Sequence, residues 1–230
     1  MEGGPISLFL DFDGTLTEIA SGPDAIEVPL NLGDRIEALT DRLNGGLALV
    51  SGRSIENLRQ FLPSSGIFLA GSHGGHIVSP QGDVIREAKA LPDHVGRMLR
   101  DFAHENGLLF EPKAHGAALH YRSNPDMEDK ARSFAEGLAN DHDLGTKNGK
   151  RVVEIVWPGV DKGGAVEALA KQTAFMKRTP IFIGDDITDE DGFIACNRLG
   201  GFGIQVGRRA PTAARYRLQT VEDVYAWLNL

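Results

Sequence analysis

The chain holds a single cysteine, Cys196, so no internal disulfide can form, and its neighbours Phe193, Ile194 and Ala195 mark it as a small buried hydrophobe. No stretch approaches the roughly 20 apolar residues needed to span a bilayer. Met1 to Pro5 carries no basic segment ahead of an apolar one, so no secretory leader is read there. Neither a membrane protein nor a secreted one is expected, and a reducing cytoplasm is the expected compartment. Basic residues are in the minority: Lys and Arg total 24 against 32 Asp and Glu, a formal net charge of −8. Such a surface repels polyanions, so nucleic acid is not an expected partner. An anionic ligand would need local compensation from a metal ion, a lysine or a helix N-terminus. The sequence shows no repeat of solenoid length and no low-complexity tract. Hydrophobic residues make up 41% of 230 residues, enough for one large domain or for a core with a modest insertion. A monomer acting on a small molecule is expected.

The apolar pattern is organised into repeating units. Ile6 to Leu10 reads as a buried strand that ends abruptly at Asp11-Phe12-Asp13-Gly14. Leu32, Ile36, Leu39 and Leu43 have helical spacing, Gly45-Gly46 stops the helix, and the strand Leu47 to Val50 closes on Ser51-Gly52-Arg53-Ser54. Phe68 to Ala70 predicts another strand before the glycine-rich stretch from Gly71 to His76, and Ile77 to Ile85 reads as a hairpin turning at Gln81-Gly82-Asp83. Strand, helix and strand in succession predict an α/β fold with a parallel sheet. The middle of the chain differs. A helix over Pro92 to Asn106 presents Val95, Met98, Leu99 and Phe102 on one face. Strands over 108–113, 117–122 and 152–157, with a helix over 127–139, predict a separate α+β insertion. From Asp161 the first pattern returns: a helix through Leu169, a strand over Ile181 to Ile183 ending in Gly184-Asp185-Asp186, a strand over 202–206 and a helix over 221–228.

Four apolar strands thus end in polar clusters: Asp11 with Asp13, Ser51, the loop bearing His73, and Asp185 with Asp186. In a doubly wound parallel sheet the carboxyl ends of the strands share one crevice. Carboxylates crowded there repel one another unless a hard divalent cation neutralises them, and Mg²⁺ fits that demand. The Asp11-x-Asp13 spacing suits a divided task, in which one carboxylate attacks phosphorus while the other protonates the leaving oxygen and later activates water. Thr15 and Ser51 offer hydroxyls to phosphate oxygens, the backbone after Gly14 and Gly52 offers N–H groups, and Lys162 offers a point charge. Each piece has a plainer reading. Asp-x-Asp-Gly alone is a turn or a helix cap, Lys162 a solvated helix start, and the acids after Asp185 a first turn that complements the helix dipole. Their joint occurrence at element ends, in an order suiting one crevice, favours the site. His73 and His76 suggest either a metal pair or a supporting loop, with the loop preferred; Arg208, Arg209, Arg215 and Arg217 read as solvated.

Asp11-Phe12-Asp13-Gly14-Thr15-Leu16-Thr17, Ser51-Gly52-Arg53, Asp161-Lys162-Gly163 and Gly184-Asp185-Asp186-Ile187-Thr188-Asp189 resemble, in order, the four motifs of the haloacid dehalogenase (HAD) superfamily of phosphatases. Gly71-Ser72-His73-Gly74, Glu111-x-Lys113, His120-Tyr121-Arg122 and Glu154 extend the resemblance to the trehalose-6-phosphate phosphatase family within it. The resemblance implies a Rossmann-like core over 1–86 and 158–230, with an inserted α+β cap over 87–157. It implies Asp11 as nucleophile, Asp13 as general acid and base, and Lys162 as a catalytic cation. Mg²⁺ would be held by Asp11, the Asp13 carbonyl and Asp185, with Asp189 and Asp186 in support. Thr15, Ser51, Gly52 and Arg53 would meet the phosphate, while Glu111, Lys113, His120, Arg122 and Glu154 would recognise a small sugar phosphate. A charged strand face is the alternative for the cap residues. Two other functions remain open: hydrolysis of a different sugar phosphate, such as sucrose 6-phosphate or mannosyl-3-phosphoglycerate, and a non-catalytic, receiver-like phosphosugar-binding module.

Overall fold

The computed structural model describes residues 4–19, 28–29, 31–62, 66–87, 89–113, 115–149 and 151–230. In chain order its first elements are β1 (Ile6–Leu10), α1 (Leu32–Arg42), β2 (Leu47–Val50), α2 (Ile55–Phe61), β3 (Phe68–Gly71), β4 (His76–Val78) and β5 (Val84–Glu87). Then come α3 (Asp93–Glu105), β6 (Leu109–Lys113), β7 (Gly116–His120), α4 (Glu128–Asp141), β8 (Gly145–Gly149) and β9 (Val152–Val156). The last are α5 (Lys162–Leu169), β10 (Thr179–Gly184), α6 (Glu190–Arg198), β11 (Phe202–Val206), β12 (Tyr216–Leu218) and α7 (Val221–Leu228). The chain divides into two compact units, Met1–Glu87 with Asp161–Leu230, and Ala88–Val160. The joins fall after Glu87 and Val160 rather than after 86 and 157. Glu87 still pairs with His76 in the sheet, and Val160 closes a turn onto the carbonyl of Trp157.

A strand that is apolar at every position has no face to give to water, and in the first unit none is needed. Its sheet runs in the order β12-β11-β10-β1-β2-β3-β4-β5. Pairings from β12 to β3 are parallel, and β4 and β5 add an antiparallel hairpin at one edge. Because side chains alternate along a strand, Leu8 and Leu10 of β1 pack with Ile36 and Leu39 on one side, while Phe9 packs with Val166, Leu169 and Phe193 on the other. Cys196 lies in that second cluster, fully buried. β10 crosses back beside β1, in register from Ile6 opposite Thr179 to Leu10 opposite Ile183, which sets the two acid-ended strands side by side.

The second unit is an antiparallel sheet in the order β6-β7-β9-β8. Ala117, Leu119, Val153 and Ile155 pack against Val95 and Leu99 of α3 and Ala131, Ala135 and Leu138 of α4. Phe102 and Phe134 stack with ring centroids 4.0 Å apart and join the two helices. Met98, expected on the buried face, is 44% exposed at its rim. The predicted strand over 117–122 stops at His120, because the backbone turns at Tyr121, whose ring is fully buried and whose N–H donates to the Arg151 carbonyl. Among the described residues no helix is long and apolar enough to cross a membrane.

Candidate active site

Asp11 is the first residue past β1, and its N–H still donates to the Ile183 carbonyl of β10 at 2.9 Å. The loop after β10 makes a tight turn closed twice, by the Asp189 N–H donating to the Asp186 carbonyl at 3.1 Å and by the Asp186 N–H donating to Asp189 Oδ2 at 2.8 Å. Lys162 opens α5, whose N-cap, Asp161, accepts the Gly164 N–H at 2.6 Å. Its ammonium group is buried and donates to Asp11 Oδ1 at 2.8 Å and to Asp189 Oδ1 at 2.5 Å. One oxygen from each of Asp11, Asp185 and Asp189 lies within 4.8 Å of the others, and among the described residues no further cluster of this kind occurs. His73 and His76 stand outside it. Two glycines make room for the acids. A Cβ on Gly14, whose φ is +81°, would sit 2.4 Å from the Asp185 carboxyl carbon, and one on Gly184 would crowd Asp189.

Charge is unbalanced here, since three carboxylates outweigh one ammonium. Burial, then the charges of Asp11 and Asp186, push the Asp185 carboxyl up to about 7. Burial raises Asp11 and Asp189 as well, with Lys162 opposing the rise. For Lys162 burial alone would favour the neutral amine, but Asp11 and Asp189 more than reverse it and hold the ammonium form above its usual range. Asp185 Oδ1 is buried without a hydrogen-bond partner. A buried oxygen with nothing to accept from, in an all-oxygen set with excess negative charge, fits a hard divalent cation. This arrangement can hold a metal ion.

Asp13 is two residues from Asp11 but stands apart from that cluster. Arg53 grips it with both arms of its guanidinium, Nε to Oδ2 and Nη2 to Oδ1, each at 2.6 Å. Asn57 on α2, which no sequence motif marks, accepts from Arg53 Nη1 at 2.7 Å and lies in the first turn, three residues after the N-cap Ser54. Thr15 is fully buried and its hydroxyl has no partner, whereas the buried Ser51 hydroxyl accepts the Arg53 N–H at 3.1 Å. Gly52 is exposed between them in sequence, against the His73 ring. The His73 N–H donates to the Ser51 carbonyl at 2.9 Å, so the glycine-rich loop supports the end of β2. Arg86 on β5 ties that loop to α5 by donating to the carbonyls of Gly74 at 3.1 Å and Gly164 at 3.0 Å. Of the four arginines read as solvated, Arg209 is not: it is half-buried and paired with Glu190, a contact invisible without the fold.

The remaining candidates belong to the second unit. Strand register sets Glu111, Lys113, His120 and Glu154 on the sheet face opposite α3 and α4, around the small residues Gly116 and Ala118. Glu111 Oε2 and His120 Nε2 are 2.7 Å apart, and Lys113 is ion-paired with Glu154. Arg122 lies beyond the end of β7, exposed, outside this row.

A family model described as trehalose-phosphatase matches residues 9–222. A trehalose-6-phosphate phosphatase of Escherichia coli K12 is 38% identical over 228 residues, covering 96% of this chain and 85% of that protein. Among solved structures, trehalose-6-phosphate phosphatase of Aspergillus fumigatus superposes with a TM-score of 0.79 at 24% identity, over 98% of this chain and 92% of that one. A phosphatase of the HAD superfamily from Bacteroides thetaiotaomicron superposes with a TM-score of 0.73 at 16% identity, over 100% and 96% of the two chains. At those identities both show the fold alone. The chain belongs to the trehalose-phosphatase family of HAD-fold phosphoric monoester hydrolases.

Proposed function

We propose that this enzyme hydrolyses trehalose 6-phosphate to trehalose and phosphate through an aspartyl-phosphate on Asp11, with Mg²⁺ as its cation. The observation that carries the reading is the division between two neighbouring acids. Asp11 lies inside the three-carboxylate cluster against Lys162, and Asp13 is held outside it by Arg53. Asp11, the Asp13 carbonyl and Asp185 would hold Mg²⁺, with Asp189 and Asp186 supporting. When bound, the ion neutralises charge on the nucleophile and on the phosphoryl oxygens.

Lys162 fixes Asp11 Oδ1, leaving Oδ2 to attack phosphorus. As the new O–P bond forms, the bond from phosphorus to the sugar oxygen breaks, and that oxygen takes the proton of the Asp13 carboxyl. Asp13 then accepts a proton from water, the water oxygen attacks phosphorus, and Asp11 is released as carboxylate together with inorganic phosphate. To carry that proton one Asp13 oxygen has to leave the Arg53 fork, and the fork takes the carboxylate back once the proton is given up. The unpartnered Thr15 hydroxyl, the Ser51 hydroxyl and the backbone at Gly52 bind the phosphoryl oxygens. Glu111, Lys113, His120 and Glu154, together with Arg122 from beyond the end of β7, recognise the sugar hydroxyls, since a wrong sugar would leave these polar groups unpaired. A cytoplasmic monomer completes the reading.

The test compares trehalose 6-phosphate, sucrose 6-phosphate and mannosyl-3-phosphoglycerate by kcat/KM, with Mg²⁺ and with chelator. Trehalose 6-phosphate is expected to lead, and only with Mg²⁺; another sugar in first place overturns the substrate but not the chemistry. Asp11→Asn is expected to abolish turnover while keeping its circular dichroism, and full activity in that variant would remove the nucleophile. Phosphate release that survives Asp13→Asn would remove the second acid.

A further inference from the structure

Arg208, Arg215 and Arg217 are exposed, but Arg209 is built into the protein. Its Nη2 donates to Glu190 Oε1 at 2.5 Å and to the Asp186 carbonyl at 3.0 Å. The other carboxylate oxygen of Glu190 accepts the Ala213 N–H at 2.6 Å. Residues 209–213 therefore form a strap fastened to the first residue of α6 and to the loop before it. The strap has its own anchor: the Arg209 carbonyl accepts from Arg217 at 3.5 Å, and Arg217 Nε donates to the fully buried Gln205 of β11 at 3.2 Å. The Arg209 and Glu190 side chains are only 26% and 18% exposed, so solvent screens the pair incompletely.

The carbonyl that Arg209 grips is the one that closes the Asp186–Asp189 turn. That turn carries Asp189, and Asp185 immediately precedes it. Left loose, two carboxylates that repel each other spread apart, and drawing them together again is charged against the binding of any ion. We propose that Arg209 and Glu190 are positioning residues that set the affinity of the acidic cluster for a divalent cation without touching it. The inference rests on the metal reading given above.

Charge and position make opposite predictions for Arg209→Gln and differ for Arg209→Lys. Through-space electrostatics alone would have Arg209→Gln bind a cation more tightly and Glu190→Gln less tightly, with Arg209→Lys unchanged. A positioning role makes all three weaker, by about tenfold or more for the two glutamine variants. It also makes the double variant about as weak as either single one, because each removes the same contact. Mn²⁺ serves as probe, with the free ion followed by electron paramagnetic resonance and the fold by circular dichroism. Opposite signs for the two charge-removing variants, or wild-type affinity in all three, overturn the proposal. Should Arg209→Gln fail to fold, Arg209→Lys decides it: weaker binding supports the proposal and wild-type affinity overturns it. If the wild type does not bind Mn²⁺, or if Asp185→Asn binds it equally well, the metal reading itself has failed and the clamp falls with it.

Discussion

Asp185 is the residue whose behaviour most directly reports the site. Its carboxyl is pushed up to about 7 by burial and by the negative charges of Asp11 and Asp186. In the metal-free protein, ionising it therefore costs stability, and that cost grows as pH rises from 3.8 to about 7 and is constant beyond. A cation binds the ionised form, so protons compete with it below that value. Affinity is expected to fall by more than tenfold per pH unit below about 7, because the raised Asp11 and Asp189 carboxyls add their own competition from protons, and to level off only above about 8. Calorimetric titration with Mg²⁺ at pH 5.5 and pH 8 checks this; equal affinities at the two pH values would contradict it. Lys162 makes a complementary case, as the buried cation that contacts both Asp11 and Asp189. Lys162→Met is expected to cost about 3–5 kcal/mol at pH 8 in chelator, where two buried carboxylates lose their partner. The loss should shrink at pH 5, because Asp189, pushed up to about 8, is then protonated and needs no counter-charge, while the rise at Asp11 acts in the same direction. Urea unfolding at the two pH values measures both numbers.

Single elements divide sharply into those readable from sequence and those not. β1, β2 and β10 hold the apolar runs 8–10, 47–50 and 181–183, each closed by acid, serine or glycine, and α3 has a repeating apolar face, so each announces itself. β8 does not: Gly145-Thr146-Lys147-Asn148-Gly149 has neither alternation nor bulk, and it is a strand because all five of its residues pair with β9. β12 is a three-residue edge strand held by β11, and α2 is a seven-residue helix whose start depends on the Ser54 cap. The same line separates the site residues. Asp11, Asp185 and Lys162 are visible because each breaks an apolar run or opens a helix. Arg209 and Asn57 are not, because nothing local distinguishes a gripping arginine or asparagine from a solvated one; only tertiary contacts 19 to 23 residues away define Arg209 and only Arg53 defines Asn57.

The whole molecule has separate hydrophobic centres. Two clusters cover the two faces of the parallel sheet, and a third, built from α3, α4 and the antiparallel sheet, belongs wholly to the inserted unit. Damage to the third should leave the acids undisturbed. Leu119→Ala, at a fully buried position, is expected to cost about 2–5 kcal/mol of stability in the inserted unit. Mn²⁺ affinity is expected to stay within about twofold of wild type, as for independent sites. Scanning calorimetry with and without the ion distinguishes the outcomes, and a large loss of affinity would show that the two units do not act separately.

The pairing of β1 with β10 has a consequence for how each new copy of the chain becomes an enzyme. Asp11 precedes the inserted unit in the chain, whereas Lys162, Asp185 and Asp189 all follow it. The three-carboxylate cluster exists only once β10, which follows the inserted unit in the chain, has paired with β1 near the middle of the sheet.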